Sequence, residues 1–303
     1  MVRDLYPAYH MAATAILPAP EDVADLVPRP GSVTWRIAGD GRLLAGAGYA
    51  LLLQVAHPVV GAGVAQHSDY RNDPWGRLWR TLDYVNLTIF GGPEAAAEIG
   101  RRTREMHKRI KGVRPDGERY HALEPEAFAW VHATLAHSIL RSHELFGVRP
   151  SAWERERFYA DWRRVGRLIG VRERDLPAGL GAFNRYFDAM VDDVLVDNET
   201  VHGVLETLVK PARPDVPLLP EGAWKVLRVP AARGGLIVTS GMLGPKLRAR
   251  FGLPWTRSDA VQFNAIAAAS RASGPVLPRR LRAFGPTYLD WRRDAIRATG
   301  IAV

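Results

Sequence analysis

Through the middle of the chain apolar residues recur at the three- and four-residue spacing of a single helical face, and the strict alternation of half-buried strands is scarce. Asp73-Pro74 supplies an N-cap and a first helical residue, and Gly91-Gly92 a stop, so a helix is predicted from Pro74 to that pair. Pro93 opens the next. It has Glu94 and Glu98 in its first turns, Lys108, Arg109 and Lys111 in its last, and Gly112 beyond, which predicts a helix to about Lys111. After the polar turn Arg114-Pro115-Asp116-Gly117, a third helix is predicted from Pro125 to about Phe146, where Gly147 stops it. Ser151-Ala152-Trp153-Glu154 has the form of a capping box, and the helix it opens should end near Gly170. Further helices are expected near 178–195, 197–209, 240–251, 258–272 and 286–299, with Pro211 to Pro220 as the one candidate linker. No repeat period is present. The pattern predicts an all-α protein folded as a single helical domain over residues 1–303, its core spanning about residues 30–255.

From Leu43 to Ala65 the strongly polar side chains are Gln54 and His57 alone, a run apolar enough to tempt a membrane reading. Pro58 in its middle, its glycines and the lack of an aromatic belt favour a buried central helix, one suited to lining an apolar cavity. At the start, Arg3, Asp4 and His10 precede only a short apolar patch, without the form of a secretory signal, so a cytoplasmic location and no transmembrane span are expected.

Composition narrows the chemistry. The chain has no cysteine, which excludes disulfides, zinc-thiolate sites, iron–sulfur clusters and thiolate-ligated haem; any metal is held by His, Asp or Glu. The net charge of +9 is spread along the chain rather than gathered in a run, and of 41 basic residues only five are lysines, so no nucleic-acid partner is expected.

Among candidate residues, His107 shares a helical face with Thr103, Met106 and Ile110, which suits either a hydrogen-bonded core histidine or a metal ligand. On the preceding helix Arg77, Thr81 and Tyr84 fall on one line, with Arg80 about 60° away. A hairpin of the two helices would set that face opposite His107 across a slot; the plainer alternative is a solvated basic face. Glu118-x-x-His121 and Glu199-x-x-His202 have the spacing of di-iron carboxylate ligands, although Glu118 follows a turn. His132, His137 and His143 are five and six apart, which does not match a zinc pair, and Asp69 and Asp73 read as loop and capping residues rather than catalytic bases.

A set of ordered motifs carries a family resemblance. The run LLLQVAHPVVGAGVAQHSDYRNDPWGRLWRTLDYVNLTIFG, then RRTREMHKRIKG, then DGERYHALEPEAFAWVHATLAHSIL and DWRRVGRLIGV, resembles the rubber-oxygenase catalytic family, which includes latex clearing protein and MpaB-type oxygenases. The resemblance implies a globin-like helical core and a haem b whose iron is ligated by His107, with Arg77 and Thr81 on the distal side. It also implies oxygen-dependent cleavage of carbon–carbon double bonds in an apolar, isoprenoid- or lipid-like substrate. Latex clearing protein has a distal lysine where this chain has Arg80, and a guanidinium is a very poor metal ligand. The distal position is therefore expected to be open, water-filled, or capped by His57 or His67. A non-catalytic haem or lipid carrier remains the alternative in another class, since a shared fold does not fix function. A di-iron oxidase is the rival within enzymes.

Overall fold

The computed structural model describes residues 20–214, 219–274, 276 and 278–298; the N-terminal segment read for a secretory signal lies outside them. The described chain is all-α apart from one small hairpin. It runs α1 (Pro20–Leu26), α2 (Val33–Ala38), a 3-10 turn at Gly41–Gly46, α3 (Ala47–Ala56), α4 (Pro58–His67), α5 (Pro74–Phe90) and α6 (Gly92–His107). The hairpin follows as β1 (Lys111–Val113) and β2 (Arg119–His121), then α7 (Pro125–Phe146), α8 (Ala152–Ile169) and α9 (Leu180–Ala189), which widens into a π-turn at Met190–Val194. The remainder is α10 (Glu199–Val209), α11 (Glu221–Arg250), α12 (Arg257–Ala272), α13 (Arg279–Arg282) and α14 (Phe284–Ala298).

Local chemistry sets most of these bounds. The Asp73 carboxylate accepts from the Gly76 N–H at 2.8 Å to open α5. Ser151 and Glu154 close a reciprocal capping box at α8, and Gly170, at φ +90°, ends that helix in a left-handed turn that a side chain would strain. The core gathers around α3 and α7, where Leu52, Leu53, Val55 and Trp130 are fully shielded together with Phe158, Trp162 and Phe183. Each such side chain contributes roughly 1.5–3 kcal/mol by leaving water.

The apolar run from Leu43 to Ala65 is largely buried, as expected, but as the end of the 3-10 turn and two helices rather than one helix. Pro58 cannot continue the hydrogen-bond ladder, and the chain turns through 102° at the His57-Pro58 junction. Among the described residues no single helix is long and apolar enough to cross a membrane.

Two expected boundaries move. The second helix of the α5/α6 pair stops at His107, four residues before Lys111, because Lys111–Val113 pair antiparallel with Arg119–His121, Gly112 standing opposite Tyr120. The helix predicted near 240–251 begins at Glu221 instead, and its break comes at Gly244, φ +77°, beside Pro245. From Glu221 to Gly235 no residue is buried, and Lys225 to Pro230 is exposed on every side, so no buried stripe marks its first half in the sequence.

Candidate functional site around His107

The α5/α6 pair is a tight helical hairpin: Gly91 caps α5, and Gly92, at φ +80°, makes the turn. Helix α6 is drawn against α8 at Gly100, where an added Cβ would stand 2.3 Å from the Leu168 carbonyl oxygen. This packing carries the last residue of α6, His107, to the edge of α7. The Phe128 ring meets the imidazole edge-on, with centroids 5.3 Å apart.

The His107 Nδ1–H donates to the Thr103 carbonyl at 2.7 Å; a carbonyl only accepts, so this bond assigns the tautomer. The lone pair is then on Nε2, for which the described residues offer no hydrogen-bond partner. Burial, foremost, and the neighbouring charge of Arg77 and His121 hold this imidazole below its ordinary range, against the opposing effect of the Thr103 bond.

Arg77 lies close enough to His107 to be felt in its protonation. Its Nη1 donates to Ser68 Oγ at 3.1 Å, and no carboxylate pairs with it among the described residues. Burial, with Arg80 adding repulsion, lowers its pKa to about 10, so it remains a cation with unspent donors. One turn on, the Thr81 hydroxyl donates to the Arg77 carbonyl at 3.1 Å, which leaves its lone pairs available.

Tyr84 continues the line and reaches Nδ1 of His132 at 3.4 Å. His132 Nε2–H donates to the Trp162 carbonyl at 2.8 Å, while Trp162 Nε1–H donates back to the His132 carbonyl at 3.0 Å. Nδ1 of His132 is therefore an acceptor, and the Tyr84 O–H donates to it. Burial raises the Tyr84 pKa and lowers that of His132 to about 4. Phe128 and His132 are one turn apart on α7, about 6 Å along the axis. His107 and Tyr84 thus approach one face of α7, and Arg77, Thr81, Tyr84, His107, Phe128 and His132 form a single grouping.

The other sequence-predicted residues sit elsewhere. Arg80 is exposed and pairs with Asp73 at 3.2 Å. His67 is exposed on the end of α4, bonded to the Lys111 carbonyl at 3.1 Å. His57 is buried at the α3/α4 bend, with Nε2 3.4 Å from Glu126 and Nδ1 without a partner among the described residues. Glu126 and Phe128 diverge by about 200° around α7, so His57 and His107 approach that helix from different sides. Asp69 bonds Asn72 and Asp73 caps α5, as their loop and capping readings predict.

His121 bonds the Lys108 carbonyl and the Leu123 N–H beside an exposed Glu118, while His202 pairs with Asp197 on the surface. Among the described residues no three His, Asp or Glu side chains converge for a metal, so the two Glu-x-x-His pairs do not assemble a di-iron ligand set. His137 stacks on Phe187 and His143 bonds the Ile37 carbonyl, both built into the core. A shallow groove on α10, lined by His202, Leu205, Glu206, Val209 and Lys210, contains none of the His107 grouping.

Sequence reasoning missed Ser68 and Phe128 and left His132 without a partner. The four-residue step from Phe128 to His132, facing the step from Arg77 to Thr81, was the available signal.

Residues 35–272 match the family model described as ER-bound oxygenase mpaB/B'/Rubber oxygenase, catalytic domain. Two mycobacterial proteins, uncharacterized protein Mb2261 of Mycobacterium bovis and uncharacterized protein Rv2237 of Mycobacterium tuberculosis, are each 26% identical over 242 residues. The aligned part covers 77% of this chain and 89% of each relative. No solved structure matches. The length of the family match, taken with the helical architecture that carries it, makes this chain a member of the MpaB/rubber oxygenase catalytic-domain family.

Proposed function

We propose that the protein is a haem b-dependent oxygenase built on a globin-like helical core, with His107 as the proximal iron ligand and an apolar, unsaturated isoprenoid- or lipid-like substrate. The observation that carries this reading is the state of the His107 ring. Iron-ligating histidines characteristically donate the other ring N–H to a carbonyl or carboxylate, which fixes the tautomer and strengthens the donor nitrogen. Here Nδ1–H is engaged by Thr103 and the lone pair on Nε2 has no partner among the described residues. The residues therefore fit the group.

Haem b held at His107 would supply the binding and activation of dioxygen. The chain's own residues supply the polarity around it. Arg77, cationic and with no carboxylate partner among the described residues, offers donors to a propionate or to developing negative charge on oxygen. Thr81 places hydroxyl lone pairs on the same line of α5. The lowered pKa of His107, caused first by burial, favours the neutral ring, the state in which a nitrogen can ligate. Arg80 lies on the exposed side, tied to Asp73, and cannot stand in for a ligating lysine. We further propose a cytoplasmic protein that takes dioxygen and an apolar small molecule.

The absorption spectrum of the haem-reconstituted protein is the direct test: a Soret band is expected for the wild type, and His107→Ala should lose it along with stoichiometric haem. Full haem occupancy in that variant would refute the assignment. Oxygen uptake with unsaturated isoprenoids separates an oxygenase from a carrier, which would fill with haem and consume nothing.

A further inference from the structure

The face of α5 opposite the Arg77–Thr81–Tyr84 line is held by the last described helix, α14. On a helical wheel Arg77, Thr81 and Tyr84 fall within about 60° of arc, while Trp75, Trp79, Asp83, Asn86 and Phe90 cluster about 180° away. Helix α14 lies along that second cluster. At one end a Cβ on Gly285 would come 2.1 Å from the Phe90 ring, so the two helices are in close contact there. At the other, Tyr288 and Trp291 pack on Trp79, with centroids 6.3 and 5.4 Å apart, and Trp75 stacks on Trp79 in turn. Between them stands Asp83, a carboxylate with no solvent exposure. Arg292 grips it with two hydrogen bonds, Nε at 2.9 Å and Nη2 at 2.7 Å, and the Tyr288 hydroxyl donates to it at 2.5 Å.

A buried carboxylate tolerates no loose geometry, because its attraction to the guanidinium must offset its lost hydration. The bidentate fork fixes direction as well as distance. Asp83 lies inside the family-matched residues 35–272, but the helix that answers its charge lies outside them, at Phe284–Ala298.

We propose that α14 is a strap that positions the His107 grouping: Arg292 and Tyr288, acting through Asp83, set the rotation and height of α5 and so place Arg77, Thr81 and Tyr84 relative to His107 and His132. Arg292 and Tyr288 are positioning residues in the full chain, and the working site includes a helix beyond the family's common core. The haem-dependent part of this inference rests on the function proposed above.

The test compares wild type, Arg292→Gln, Arg292→Lys and Tyr288→Phe in the full chain, with Ser151→Ala, which removes a cap at the first turn of α8 about three turns from Trp162, as a control for general loss of stability. Two signals are read at a temperature where every variant is folded. One needs no cofactor: the imidazole nitrogen resonances of His132 and His107, which report the Tyr84 hydrogen bond and the Nε2 lone pair. The other is haem affinity from titration of the Soret band. Arg292→Gln should shift the His132 resonances and weaken haem binding about tenfold, as loss of an outer supporting contact does at metal sites. Arg292→Lys should restore part of both, and Ser151→Ala should move neither. If Arg292→Gln does not fold, Tyr288→Phe, which keeps the ion pair and the ring, decides by the same two signals. Unchanged imidazole resonances in the folded strap variants overturn the proposal, as does an equal shift in Ser151→Ala. Should the wild type bind no haem, the proposed function fails, and the imidazole signals still judge the strap.

Discussion

Arg77 is an expensive residue to keep. A guanidinium depressed to a pKa of about 10 by burial, with a serine hydroxyl as its hydrogen-bond partner, is poorly solvated, and among the described residues no carboxylate compensates it. Sites that bind anions or stabilise developing negative charge accept such a cost, because the missing partner is the ligand. Replacing it with a flexible apolar side chain of similar length tests this. Arg77→Met loses the Ser68 hydrogen bond, worth about 1 kcal/mol, but also removes a poorly solvated charge. The expected outcome is a variant as stable as wild type or up to about 1 kcal/mol more stable, with weakened haem binding. Chemical denaturation with a Soret titration checks both; a clear loss of stability with unchanged binding would make Arg77 an ordinary structural residue.

At the scale of elements, close approach of α6 to α8 sets where His107 arrives. Gly100 faces the Leu168 backbone, and the atom a Cβ would strike is a carbonyl oxygen, which cannot swing away as a side-chain tip can. Gly100→Ala should force the helices apart and cost about 1–3 kcal/mol, measurable as a lowered urea midpoint. A midpoint equal to or above wild type, from the better helix propensity of alanine, would show that the contact yields. Loss of the α8 cap is the milder comparison: Ser151→Ala should cost about 1 kcal/mol in the same assay.

Elements whose ends are fixed by their own residues were legible in sequence. Asp73-Pro74, Gly147 and the Ser151–Glu154 box mark α5, α7 and α8 to within a residue, since caps act over three or four positions. The end of α6 was not legible, because it depends on Lys111–Val113 finding Arg119–His121 across a turn. The start of α11 was hidden for the opposite reason: its first half buries no stripe, so periodicity has nothing to report. The same division runs through the site. The Arg77–Thr81–Tyr84 line follows from 3.6 residues per turn, whereas the placement of Phe128 and the outward turn of Arg80 are tertiary outcomes.

At the scale of the whole molecule, the buried histidines make stability a function of pH. Burial lowers the pKa values of His57, His107, His132, His137 and His143 alike, so the folded state prefers all five neutral. His132 gives the clearest case: it is 1% exposed, its Nε2–H is spent on Trp162, its Nδ1 accepts from Tyr84, and its pKa is about 4 against an ordinary value near 6.5. Between those values the unfolded chain carries a proton on this ring that the folded chain refuses. Stability therefore rises with pH across the window and falls as the solution is acidified from about 6.5 toward 4. The full difference for this residue is of the order of 3 kcal/mol at about 1.4 kcal/mol per unit. The lowered carboxylates Glu98, Glu154, Asp175 and Asp259 act at lower pH, as their unfolded counterparts begin to protonate, so the decline from pH 7 to 5 belongs to the histidines. Urea midpoints at pH 7, 6 and 5 for wild type and His132→Gln isolate the contribution. The variant is expected to be less stable at pH 7, having lost its hydrogen bonds, and to lose less stability on acidification. Parallel declines in the two proteins would show that His132 titrates equally in the folded and unfolded states, and that the Tyr84–His132–Trp162 chain is open to solvent.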